Sequence, residues 1–171
     1  MKWYAQLMGY SFPILLGILL MRNMIERLWD CLVDHNAKLG FRPPAWQPEF
    51  LARLESVLFI LFLQLGQAWF IAAWMAMKIA GQWMRWMDPG DAQVGRPPGH
   101  VVFNMFMIGN GLLILFAVVG YKLIGWVNRE DWLLAFWAPT LITLLTVLCY
   151  VKLGPYRKSL SAPAKPTAGK A

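Results

Sequence analysis

Between Ser56 and Met77 the chain carries no charged residue. A helix over that stretch is about long enough to cross the hydrocarbon core of a bilayer. Three more apolar runs accompany it, Trp3–Met21, Val101–Ile124 and Trp132–Val151. Hydrophobic residues make up 58% of the 171 residues, and the mean hydropathy is +0.47. A soluble domain of this size cannot bury so much apolar surface, so lipid must solvate part of it. The expectation is an all-α integral membrane protein with four transmembrane helices, over about 3–21, 56–84, 101–124 and 132–151. The length leaves room for one unit, 1–154, followed by a basic, disordered cytoplasmic tail over 155–171 rich in Ser, Pro, Ala and Lys.

Within the second run, Gln64, Ala68, Ala72, Ala76 and Ala80 recur every four residues. On one helix that spacing draws a nearly straight stripe of small side chains. Small residues let helices approach closely, which drives association where there is no water to expel. Gly109 and Gly111, flanking Asn110 in the third run, are expected to pack in the same way.

The first run follows Lys2, lacks a small-residue cleavage pattern and passes into Arg22-Asn23-Met24-Ile25-Glu26, so it reads as a retained helix. Pro13 should kink it. From Met21 to Leu39 the apolar residues Met21, Met24, Ile25, Leu28, Trp29, Leu32 and Val33 keep helical spacing. This amphipathic juxtamembrane helix has a polar face of mixed charge, which suits docking on a partner better than lying on lipid. Leu28, Trp29, Leu32 and, after the following loop, Trp46 are the expected anchors. In the last run Thr140, Thr143 and Thr146 follow Pro139 and can bond back to their own backbone.

The formal charge is +7, and the basic residues flank the apolar runs. That pattern points to anionic lipid as a partner, not to nucleic acid. With four crossings, nine Lys and Arg share the side of the N-terminus and seven lie opposite. The basic excess predicts both termini in the cytoplasm; a bacterial inner membrane is the expected setting because the chain is compact and shows no obvious organelle signal.

Catalytic chemistry is sparse. No zinc-protease, paired-cysteine, phosphate-loop or nucleophile-elbow motif occurs. The four-crossing topology separates Cys31 from Cys149 and His35 from His100, so no disulfide, metal or cofactor is expected. Glu55 falls at the edge of the second helix, leaving no acid deeper in the membrane. The leading functional expectation is a non-catalytic subunit or assembly factor of a larger membrane complex, of secretion, conjugation or energy-transducing type. The alternative is a small oligomeric transporter or channel lined by midplane amides, Gln67, Asn104 and Asn110. Partners would be other membrane subunits or further copies of the chain.

Overall fold

The computed structural model describes residues 2–32, 46–90 and 98–160; of 29–32, 46–48, 85 and 154–160 it describes the backbone alone. The described residues are helical, without strands. The order is α1 (Trp3–Ser11), a π segment (Phe12–Gly17), α2 (Ile18–Leu32), α3 (Trp46–Gln64), α4 (Trp69–Trp86), α5 (Gly99–Asn128) and α6 (Trp132–Leu160). Three helical stretches are long and apolar enough to cross a membrane, Trp3–Leu28, Gly99–Asn128 and Trp132–Leu153.

The first departure from a regular helix is at Pro13. The proline has no N–H, so the α-helical bond to Gly9 cannot form. The chain widens into the π segment and then resumes as α2, making one rod. The amphipathic stretch therefore continues the first helix as far as Leu32; residues 33–39 lie outside the described residues.

The second departure replaces the expected helix over 56–84 with two. α3 ends at Gln64 and α4 starts at Trp69. Gly66 has φ +71, a left-handed conformation that glycine adopts without steric cost. The Gly66 N–H donates to the Leu63 carbonyl at 3.2 Å and the Gln67 N–H to the Phe62 carbonyl at 2.8 Å. This pair of bonds is a Schellman stop, which satisfies carbonyls that the helix end would leave free. Phe62 stacks on Phe70 at 4.9 Å across the turn.

Contacts at the helix ends fix the course of the chain. The Lys2 N–H donates to Asn128 Oδ1 at 2.9 Å, so the start of α1 meets the turn between α5 and α6. Gln64 Nε2 donates to Gln6 Oε1 at 2.9 Å, and the Tyr10 hydroxyl donates to Gln64 Oε1 at 3.1 Å. The turn after α3 therefore belongs to the same end of the bundle. At the other end Arg22 pairs with Glu49, Arg27 stacks over Tyr150, and the Gly99 N–H donates to the Asp88 carbonyl. α3 and α4 are thus an antiparallel hairpin beside the rod, α3 running from the level of Arg22 to that of Gln6 and Tyr10. The start of α1 and the end of α6 lie at opposite ends, which corrects the expectation of both termini on one side. Cys31, near the end of α2, and Cys149, beside Tyr150, belong to the same end, not to opposite faces. His100, at the start of α5, is there too, and His35 lies outside the described residues.

α6 runs on to Leu160, past the expected limits of 151 for the helix and 154 for the unit. Pro155 has a helix-compatible φ and removes only one bond, whose carbonyl water can satisfy at a membrane surface. Thr140 and Thr146 donate to the carbonyls of Phe136 and Ile142, the back-bonding expected after Pro139.

The core lies where α5 meets the rod and α3. Phe59 and Ile60 of α3, Ala5 and Ile18 of the rod, and Leu113, Ala117 and Ile124 of α5 are buried together. α1 and α5 cross at Gly9 and Gly120, where a Cβ on Gly9 would stand 2.7 Å from the Gly120 carbonyl oxygen. No side chain fits there. The expected contact glycines behave differently. A Cβ on Gly109 would touch Ile25 at an ordinary 3.5 Å, and one on Gly111 would meet open space. The outer surface is apolar, with Leu133, Phe136, Leu141 and Leu148 of α6 exposed, as lipid requires.

Candidate functional site

The hairpin brings together two charges that are far apart in sequence. With the turn at Gly66-Gln67, Glu55 and Lys78 stand at the same depth on α3 and α4. Lys78 Nζ donates to Glu55 Oε1 at 2.7 Å and Oε2 at 3.0 Å. Its third donor reaches Asn110 Oδ1 on α5 at 2.7 Å. Trp74 Nε1 donates to Glu55 Oε1 at 2.9 Å, and Asn110 Nδ2 donates to the Phe106 carbonyl at 2.8 Å. The ammonium also stands over the Phe106 ring, 5.4 Å from its centre.

Glu55 is 2% exposed and the Lys78 side chain 15%. From the level of Arg22 and Glu49, six residues of helix carry Glu55 about 9 Å inward. The expectation that Glu55 sits at the edge of its helix is therefore corrected: α3 begins earlier and encloses it. Lys78 is buried against it.

Each charge needs the other. An unpaired ion in hydrocarbon costs several kcal/mol, and pairing with full hydrogen bonding offsets that cost. All three Lys78 donors and both Glu55 oxygens are engaged. The cluster thus offers neither a free base nor a free nucleophile. It fastens α3, α4 and α5 at a single point.

The expected pathway amides do not converge. Gln67 accepts from Trp69 Nε1 at the exposed turn, Asn104 is exposed, and Asn110 belongs to the ion cluster. The expected stripe is divided. Gln64 ends α3 and bonds to the rod, whereas Ala68 precedes α4. Ala72, Ala76 and Ala80 share the outward face of α4 and are exposed. Leu28 is half-buried on α2; the side chains of Trp29, Leu32 and Trp46 lie outside the described residues. Among the described residues no group of His, Cys, Asp and Glu could hold a metal ion.

The ion cluster is hidden in the sequence as long as the uncharged run forms one helix, because Glu55 and Lys78 then lie at its opposite ends. Two signals are present: a single glycine, Gly66, inside the run, and an acid eleven residues before it and a base twelve after it. Comparison of the chain with protein-family models, curated proteins and solved structures gives no match.

Proposed function

We propose that this chain is a non-catalytic, multi-pass membrane subunit that assembles with another membrane protein through the outward face of α4. The observation that carries this reading is the two-sidedness of α4. Ile71, Trp74, Lys78 and Trp86 turn toward the rest of the chain, while Ala72, Ala73, Ala76, Ala80 and Gly81 are exposed. Small side chains fill lipid contacts poorly and favour a second helix at close range. The engaged state of Glu55 and Lys78 agrees with a scaffold, since neither of these enclosed charges is free for transport. The scattered amides weigh on the same side.

The end of the bundle holding Arg22, Arg27, Arg53, Arg85, Lys152, Arg157 and Lys158 is the cytoplasmic one in this reading. The other end holds only Lys2, Lys122 and Arg129 among the described residues, and the basic excess marks the inner side. A cysteine placed at Lys2 should then react with an impermeant thiol reagent added outside intact cells.

Purification in mild detergent with native mass measurement tests assembly. Wild type should run as a complex of fixed stoichiometry, with another membrane protein or with itself. Ala72→Leu with Ala76→Leu should disperse that complex, and Leu141→Phe on the exposed face of α6 should not. A monomer in every case would refute the proposal.

A further inference from the structure

We infer that the groove between α2 and α3 seats one phospholipid with a primary-amine headgroup, of the phosphatidylethanolamine type. The groove is open along one side, and its volume of about 180 Å³ takes only part of such a lipid, the rest lying in the surrounding bilayer. Ile14, Leu15, Ile18 and Leu19 form its apolar length, and Arg22, Glu49 and Arg53 stand at its mouth.

Depth sets the class of ligand. Lys2 marks one end of the bundle, and Arg22 lies twenty residues along the rod. At a helical rise of 1.5 Å this is about 30 Å, the thickness of the hydrocarbon core. Arg22 therefore lies at the headgroup level of the opposite leaflet. Ile14 to Leu19 lie some 4 to 12 Å deeper by the same rise, at the level of acyl chains. A ligand that fills the groove is apolar along its length and polar at one end.

Charge narrows the headgroup. Arg22 Nη1 donates to Glu49 Oε1 at 3.0 Å. Arg53 comes no closer to Glu49 than 3.9 Å, beyond a hydrogen bond, and the Arg22 and Arg53 side chains are 50% and 57% exposed. Among the described residues, Glu49 and the more distant Glu26 thus leave donors of the two guanidiniums unfilled. Guanidinium forks match phosphate oxygens, and a phosphodiester between Arg22 and Arg53 uses the unfilled donors. Glu49 and the nearby Glu26, 3.8 Å from Arg22, bring the cluster to neutrality. A purely anionic headgroup would face these carboxylates without a cation of its own. A choline group would bring a cation with no N–H to donate. A primary ammonium donates to Glu49 while its phosphate takes the arginines. The inference does not depend on assembly through α4, which forms no part of this groove.

The full-length protein, stripped of lipid in detergent, is offered phosphatidylethanolamine, phosphatidylglycerol or phosphatidylcholine with identical acyl chains, and retained lipid is read by native mass spectrometry. Wild type should retain one phosphatidylethanolamine, preferred about fivefold or more over the others, and Arg22→Ala with Arg53→Ala should lower retention about tenfold. Glu49→Gln should keep a lipid but shift the preference to phosphatidylglycerol. Equal retention of the three lipids, a wild-type preference for phosphatidylglycerol, an unshifted preference in Glu49→Gln, or unchanged retention in the arginine variant would each overturn the inference. Should the arginine variant not fold, Leu15→Trp fills the groove from an exposed position and leaves the charges in place. Retention unaffected by that change would overturn it as well.

Discussion

The α1–α5 crossing and the α3–α4 hairpin solve one problem in opposite ways. Helices in lipid gain nothing by expelling water from between them, so some other force must hold them. At Gly9 and Gly120 the helices meet backbone to backbone, and the force is close packing. At Glu55 and Lys78 they meet through opposite charges that would be costly apart. The difference lies in what each contact demands. The glycine crossing needs only the absence of side chains. The ion cluster needs both partners present at the same depth, and so also fixes the register of α3 against α4.

The sharpest way to break the hairpin alone is Lys78→Met. It leaves Glu55 enclosed without a counter-charge, with only the Trp74 N–H still donating to it, and breaking a buried pair from one side costs about 3–5 kcal/mol. The double variant Glu55→Leu with Lys78→Met should recover most of that loss, because replacing a whole buried pair by apolar groups is often close to neutral. Unfolding in mixed micelles measures both. A double variant as unstable as the single one would mean that Asn110 and Trp74 depend on the charges as much as the charges depend on each other.

The crossing is broken by bulk instead. Gly120→Val should cost about 1–3 kcal/mol, the usual range for overpacking, because Gly9, Pro13 and Ile60 crowd the position. Gly111→Ala on the same helix meets open space and should be neutral, or stabilising by up to about 1 kcal/mol from helix propensity. The same unfolding assay separates them. Equal effects at the two glycines would show that the crossing is looser than its geometry.

These contacts differ in how far the sequence announces them. Apolar run length made the membrane class and the first, third and fourth runs legible, because lipid thickness sets a length that composition can meet. Hydropathy registers a single glycine weakly, so Gly66 did not divide the second run. An undivided second run misplaces the end of the bundle to which the C-terminal helix returns, and with it Cys149. The ion cluster was hidden for the same reason, since Glu55 and Lys78 become neighbours only once the turn exists. Gly120 meets Gly9 from a distant run, and nothing local in the sequence marks the pair. The alanines of α4 were read from their spacing, and the structure leaves three of them facing outward together.

The smallest expected effect sharpens the comparison by moving an ion pair into water. Lys2 pairs with Glu130 at the turn between α5 and α6, outside the spanning segments. Hydrogen bonding to Lys2 holds the Glu130 carboxyl below its usual value of 4.5, and hydrogen bonding to Glu130 holds the Lys2 ammonium above its usual 10.5. The sign follows for each group. A lowered acid stabilises the fold above its ordinary value, and that contribution fades as pH falls through its folded value. A raised base stabilises below its ordinary value, and that contribution fades as pH rises through its folded value. The pair therefore acts between about 4.5 and 10.5 and weakens outside that window. Because it is exposed, salt should screen it. Glu130→Gln should cause a small loss of stability at neutral pH, and added salt should erase the difference from wild type. The same salt should leave the effect of Lys78→Met intact, since ions in solution do not reach the enclosed pair. If both effects faded together, the Glu55–Lys78 cluster would have to be in contact with water, and the contrast between the two ways of joining helices would fail.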